Sequence, residues 1–300
     1  IKTLNIEPAD FFPRATETIP EMIEIIKKLK DKGIAYRGED GSIYYDISKF
    51  KEYGKLSGIN TAELKAGARV KQDEYEKEKA NDFALWKAWD EEDGNVFWKT
   101  ELGKGRPGWH IECSAMSMKY LGNHFDIHTG GIDLVFPHHE NEIAQSEGAT
   151  GTEFVNYWVH NEWLLVEGKK MSKSLGNFFT LRDLLDKGFD SFAIRYLLLA
   201  THYRQQLNFT FKGLEAAKNS LQRIWDFMDR LEIVDGKDNK DFKKIIEISK
   251  KGFNNAVCDD LDISKVLAKR IIPISNKVKP LHDPSIEAFM LEISKIIKKH

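Results

Sequence analysis

Lys169-Lys170-Met171-Ser172-Lys173-Ser174-Leu175-Gly176-Asn177-Phe178-Phe179 is the stretch from which the rest of the chain is best read. Together with Gly168 it forms a short polar loop, rich in lysine and serine, between two glycines. Such a loop can swing and bring a mobile ammonium group to a phosphate. Lysine suits that task as a compact point charge on a flexible stem. A solvated basic turn would have the same composition, and Met171 offers the loop an apolar anchor.

Around this stretch, 300 residues allow one large domain or two to three modest ones. With 41% hydrophobic and 31% charged residues the chain is globular, and global disorder is excluded. No apolar run approaches the ~18 residues of a membrane span, so no membrane partner is expected. The start, Ile1-Lys2-Thr3-Leu4-Asn5, has no signal-peptide pattern. Two cysteines, Cys113 and Cys258, are too few for a disulfide framework and fit a reducing, cytoplasmic setting. A net charge of −2 neither supports nor excludes an RNA partner, because only a local basic face counts. Seven of the nine histidines lie between His110 and His202, so chemistry is expected at the centre of the chain.

Thr18-Ile19-Pro20-Glu21 reads as a capping box, and Met22, Ile25, Ile26 and Leu29 follow at helical spacing. Ile34–Tyr36 and Ser42–Ile47 read as strands joined through Asp40-Gly41, and Phe83–Trp86 with Val96–Trp98 as a second hairpin. The charge run from Lys71 to Lys79 reads as a solvated connection. From Gly105 to Val166, strands alternate with helices, one from Ala115 to Leu121 and one opened by Pro137 and running to Gln145. That alternation predicts a parallel sheet. Thr180-Leu181-Arg182-Asp183 opens another capped helix. Beyond Phe211 the pattern is helical, with Leu214, Ala217, Leu221, Ile224, Trp225 and Met228 in one apolar stripe, and Pro273 should kink or end the last helix. Lys243, Lys244, Lys250, Lys251, Lys269 and Arg270 lie on helices whose apolar positions, such as Ile245, Ile248, Val266 and Leu267, are expected to face inward, which leaves some of these cations exposed.

His138 and Glu142 stand at i and i+4, so their side chains share one helix face. Alone they read as a surface pair, and Cys113 alone reads as a small buried hydrophobe. Taken together, thiolate, imidazole and carboxylate are the three groups that zinc accepts. Gly130-Gly131-Ile132-Asp133 follows a strand, where glycines let the backbone approach a ligand and an acid can accept ribose hydroxyls.

The order Lys-Met-Ser-Lys-Ser resembles the signature loop of class I aminoacyl-tRNA synthetases. Three upstream segments sharpen the likeness: Gly108-Trp109-His110-Ile111-Glu112-Cys113-Ser114-Ala115-Met116, Gly130-Gly131-Ile132-Asp133-Leu134, and Phe136-Pro137-His138-His139-Glu140-Asn141-Glu142. In this order they closely resemble the cysteinyl-tRNA synthetase family, over essentially the whole chain. The resemblance implies an α/β fold: a Rossmann-like class I catalytic domain with its second half present, a mixed α+β connective insertion, and a following helical bundle. It divides the chain into 1–104 (end of the first Rossmann half plus insertion), 105–166 (second half), 167–211 (signature-loop region) and 212–300 (tRNA-contacting bundle).

The same resemblance implies ATP-dependent activation of L-cysteine and its transfer to tRNA(Cys). Lys173, with Lys170 as helper, would act on the ATP phosphates. Gly130, Gly131, Asp133 and His160 would bind the nucleoside, with magnesium accompanying ATP, and Trp109 would wall the cysteine pocket. One zinc per chain would sit on Cys113, His138 and Glu142 and one further cysteine near the N-terminus. Zinc suits the task because a soft thiolate bonds it strongly and a neutral hydroxyl, as in serine, poorly. Neither that further cysteine nor a His-Ile-Gly-His tetrapeptide has a counterpart in the sequence, so a monomeric family member lacking both ends is expected. A cysteine:amino-sugar ligase of the mycothiol-pathway type is the alternative enzyme, and a non-catalytic zinc- or RNA-binding remnant the alternative of another class. A zinc hydrolase on His138-His139-Glu140 would leave the lysine loop without a role.

Overall fold

Ile19, Met22, Ile25, Ile26 and Leu29, spaced for one helix face, are all buried on α1 (Ile19–Asp31) in the computed structural model. The structure describes residues 1–59, 82–233 and 240–267. Its contacts divide the chain into two units, one of residues 11–160 and one of residues 1–10 with 161–300. Among the described residues no helix is long and apolar enough to cross a membrane.

In the 11–160 unit, β1 (Ala35–Arg37) and β2 (Ile43–Tyr45) form the expected antiparallel hairpin. β3 (Phe83–Ala88), β4 (Trp98–Thr100) and β5 (Gly103–Pro107) complete a five-stranded sheet in the order β1-β2-β3-β5-β4, with every neighbouring pair antiparallel. The expected hairpin of Phe83–Trp86 with Val96–Trp98 is therefore not formed. β5 lies between those strands, and the tight turn is at Glu101-Leu102, where Thr100 faces Gly103. Gly-Lys-Gly-Arg-Pro lacks the β-branched and aromatic residues that mark a strand, but its glycines admit close backbone approach. A Cβ on Gly105 would lie 2.1 Å from the Lys87 carbonyl oxygen, and one on Gly108 would lie 2.0 Å from that of Ala84.

The capping box at Thr18 is also absent. A 3-10 turn at Ala15–Glu17 places carbonyls beside Thr18, whose hydroxyl donates to Arg14 O and Ala15 O. Glu21 instead pairs with Lys119 Nζ at 2.6 Å.

α1, α2 (Trp109–Leu121) and α3 (Glu140–Thr150) share one core with the sheet, built from residues such as Met22, Leu29, Tyr45, Phe83, Trp86, Ile111 and Ala144. The helix expected from Pro137 begins there, after extended Phe136 (φ −134°, ψ 133°), as a π-helical turn through His139 that runs into α3, and it ends at Thr150 rather than Gln145. β6 (Phe125–Gly131) and β7 (Val155–Asn161) pair as a two-stranded sheet, with α3 in the connection between them.

The second unit carries β8 (Leu164–Val166), β9 (Lys169–Lys170) and β10 (Leu207–Phe209), in which β8 is parallel to β10 and antiparallel to β9. α4 (Leu181–Asp186) has the predicted box: Asp183 N donates to Thr180 Oγ1, and Thr180 N donates to Asp183 Oδ2. α5 (Ser191–Leu199) and α6 (Phe211–Ile233) join α7 (Lys240–Val257) and the short α8 (Ile263–Val266) around Tyr196, Leu221, Ile224, Phe227, Ile246 and Ala256.

One expected inward position is wrong. Ile248 is 53% exposed, because the buried face of α7 runs through Ile246, Ser249 and Ala256. Lys244 and Lys251 are exposed as expected, and Val266 and Leu267 are buried. The Lys71–Lys79 run, Lys269, Arg270 and Pro273, and the side chains of Lys243 and Ile245, lie outside the described residues.

Gly108→Ala should destabilise the 11–160 unit by about 1–3 kcal/mol, the usual cost of overpacking, because β3 must move to admit the methyl group. Urea unfolding of the metal-free protein checks this, and an unchanged midpoint would show that the strand has slack there.

Candidate functional site

α2 begins on Gly108, so Trp109, His110 and Cys113 share its first turns. The ligand atoms of Cys113, His138 and Glu142 all lie within 4.8 Å of one another. His138 Nε2 is 3.0 Å from Glu142 Oε1. Glu142 is wholly buried, yet among the described residues neither carboxylate oxygen receives a hydrogen bond. A buried carboxylate without donors is costly unless a cation meets it. Burial, and then the nearby charges of Glu142 and Glu112, push the Cys113 thiol up to about 12. A divalent ion placed among these groups would offset both costs, since it stabilises thiolate and carboxylate together. The residues present therefore fit zinc.

The opposite side of the His138 ring is also arranged. Its Nδ1 lies 2.8 Å from Nδ1 of buried His110. Burial, assisted by His138 and Lys87, holds His110 well below the usual histidine range. A neutral His110 that accepts from His138 Nδ1–H leaves His138 Nε2 with a free lone pair facing Glu142, the tautomer a metal requires. Trp109 packs its ring 4.4 Å from that of His138 and is still 44% exposed, so it offers a free aromatic wall beside this group.

Sequence reasoning found three members of this cluster and passed over three more: His110, His128 and His139. His128 Nε2 lies 3.5 Å from Glu142 Oε2, and His139 Nε2 lies 3.9 Å from Oε1. Burial lowers His128, and burial with the neighbouring imidazoles lowers His139 to about 3. The concentration of histidines in this region was the available signal, but it does not say which rings meet.

The residues expected at ATP also lie here. β6 ends in Gly130-Gly131, and His160 near the end of β7 places Nε2 2.8 Å from His139 Nδ1. A Cβ on Gly130 would lie 2.6 Å from His139 Cε1, and one on Gly131 would lie 2.4 Å from Asp133 Oδ1. The space these glycines leave is thus taken up by the protein's own side chains, while Asp133 is exposed.

In the second unit, Lys169 and Lys170 form β9, paired with Val166 and Leu165. Met171 and Phe179 pack on the apolar cluster of Val166, Leu184 and Leu214. Asn177, which sequence reasoning gave no role, holds the loop together: its Oδ1 accepts from Ser172 N at 2.9 Å and its Nδ2 donates to Lys170 O at 3.1 Å. Ser172 Oγ accepts from Leu175 N at 3.2 Å, and Gly176 closes the turn at φ +64°. Lys170 and Lys173 are exposed, with Nζ atoms 5.9 Å from the Trp163 ring and 5.8 Å from the Phe178 ring. Among the described residues neither lysine is tied into an ion pair.

Residues 1–219 match the family described as tRNA synthetases class I (C) catalytic domain. The chain belongs to that family. It is 56% identical over 272 residues to the cysteine–tRNA ligase of Protochlamydia amoebophila, covering 89% of this chain and 57% of the relative. Against the cysteine–tRNA ligase of Brachyspira hyodysenteriae it is 54% identical over 273 residues, again 89% and 57%. The chain thus spans 57% of the length of these relatives. In fold it resembles the Mycobacterium tuberculosis methionyl-tRNA synthetase, with a TM-score of 0.63 at 13% identity over 98% of this chain and 67% of that one. The α/β fold of a class I synthetase catalytic domain is the architecture of this chain.

For this synthetase domain, His110→Phe should weaken zinc binding by about 10–100-fold, the usual cost of losing a group that orients a ligand. Competition against a chromogenic chelator measures it. An unaltered affinity would show that His110 does not set the His138 tautomer.

Proposed function

We propose that this chain carries the catalytic core of a cysteine–tRNA ligase, an aminoacyl-tRNA synthetase that activates L-cysteine with ATP and passes it to tRNA(Cys). The observation that carries the reading is Glu142, buried without a hydrogen-bond donor between the Cys113 thiol and the His138 ring, beside an exposed Trp109. Cys113, His138 and Glu142 would hold zinc, which when bound supplies a soft cation that favours a substrate thiolate over a hydroxyl. Trp109 offers its free face to the substrate side chain. Membership of the family supports ATP as the second substrate, with magnesium on its phosphates and Gly130, Gly131, Asp133 and His160 toward the nucleoside.

In the activation step the cysteine carboxylate attacks the α-phosphate and pyrophosphate leaves. Lys173, assisted by Lys170, stabilises the charge that develops on the phosphates as that bond breaks. The loop is suited to this because Asn177 braces its backbone while both ammonium groups remain exposed. In the transfer step the terminal ribose hydroxyl of the tRNA attacks the adenylate carbonyl and AMP leaves. The helical bundle presents Lys244 and Lys251 to solvent, where they are available to tRNA phosphates. The protein acts as a monomer in the cytoplasm.

Cysteine-dependent exchange of pyrophosphate into ATP, with serine as control, tests this directly on the protein that carries this chain. Lys173→Ala should lower turnover by about 10²–10³-fold, the scale of losing one transition-state donor, with little change in the KM for cysteine. Full turnover in that variant would remove Lys173 from the chemistry.

Replacing Lys244 and Lys251 together by Ala should weaken tRNA binding and flatten its logarithmic salt slope by about 0.7–0.9 for each phosphate no longer neutralised. Cysteine activation without tRNA should be unaffected. A tRNA affinity and salt slope that do not move would make the bundle a spacer and direct attention to an amino-sugar acceptor.

A further inference from the structure

The ligand atoms of His128, His139 and Glu142 form a second group that lies within 4.8 Å of one another, and this group does not use Cys113. It shares Glu142 with the thiol-containing group, but through a different disposition of the carboxylate. Oε2 faces His128 Nε2 at 3.5 Å, while Oε1 lies 3.0 Å from His138 and 3.9 Å from His139. Separations of this size suit donor atoms that each sit about 2.0–2.2 Å from one ion.

The imidazoles are held in place as ligands are. His139 Nδ1 is engaged by His160 Nε2 at 2.8 Å, which leaves His139 Nε2 to face the carboxylate. Gly130 presses on the same ring, since any Cβ there would lie 2.6 Å from its Cε1. Trp158 packs against both rings, 4.7 Å from His128 and 4.9 Å from His139. The carboxylate they share is fully buried and, among the described residues, receives no hydrogen bond.

We infer that His128, His139 and Glu142 form an alternative seat for a divalent ion of the zinc class, beside the one built on Cys113. Two imidazoles and one carboxylate suit zinc, cobalt or nickel, and are too poor in oxygen for magnesium or calcium. With three protein ligands the seat leaves a coordination position open. The two seats are filled one at a time. Both draw on the same Glu142 carboxylate, and two dications a few ångströms apart repel each other. The ion can pass between the seats without leaving Glu142. Because the thiolate adds charge and softness, the Cys113 seat is the resting one.

Cobalt(II) titration of the metal-free protein tests this, because thiolate coordination gives a near-ultraviolet charge-transfer band that imidazole and carboxylate do not. The intact protein should take one equivalent with the band. Cys113→Ser should still take one equivalent, without the band. His128→Gln should keep the band, which also shows that this variant folds. The double variant Cys113→Ser/His128→Gln should bind at least about 10-fold more weakly than Cys113→Ser alone. If Cys113→Ser takes no cobalt, or if adding His128→Gln leaves its affinity unchanged, the second seat does not exist. Two equivalents on the intact protein would overturn the one-at-a-time occupancy. Lack of the band in the intact protein, with binding that depends on His128, would sink the Cys113 centre and leave the second seat standing.

Discussion

The arrangement of the 11–160 unit depends on one constraint: the carboxylate of Glu142 is out of water and, among the described residues, no hydrogen bond reaches it. It sits on α3, a helix whose sequence is polar but whose residues are nearly all buried. Most other polar groups of α3 are matched, the buried hydroxyl of Ser146 being an exception. Glu140 accepts backbone N–H groups from Gly54, Leu56 and Ser57, Asn141 accepts from the Tyr53 hydroxyl, and Gln145 meets Ser114. Tyr45 even donates to the backbone carbonyl of Ala144. Glu140 and Glu147, the other carboxylates of α3, have donors, whereas among the described residues no hydrogen bond reaches Glu142. Charge at that position must be answered by a cation or neutralised, and the thiol and imidazoles around it are arranged for a cation.

How far the sequence could be read follows from which signals are local. The lysine loop and the pairing of His138 with Glu142 are legible because their chemistry lies within a few residues of chain. Cys113 joins them from another helix, and only the family likeness brings it in. His110, His128 and His139 escaped because their role comes from contacts among α2, β6 and the turn before α3, which no spacing rule encodes. Two similar capping patterns also diverged. Thr180 caps α4, whereas the hydroxyl of Thr18 is drawn to carbonyls of the preceding turn and Glu21 to Lys119.

The strand the sequence hid, β5, illustrates a related limit. Its Gly-Lys-Gly-Arg-Pro composition reads as a loop, yet it occupies the position between β3 and β4. The absence of side chains at Gly105 and Gly108 is what lets it come so close to β3. Likewise a hydrophobic residue at a helical position does not fix the buried face. Ile248 lies one step off the stripe that Ile246, Ser249 and Ala256 define, and it is exposed between Lys244 and Lys251.

Residues 1–10 belong to the same unit as residues 161–300. Arg195 holds them there, donating to the carbonyls of Leu4 and Asn5 across 191 and 190 residues of chain. During synthesis, therefore, the 11–160 unit can assemble as soon as its own last strand emerges, while residues 1–10 must wait for α5. The long closure costs little extra entropy, because that penalty grows only with the logarithm of loop length, but it sets an order of events. A segment made before the whole of that unit finds its place only after it.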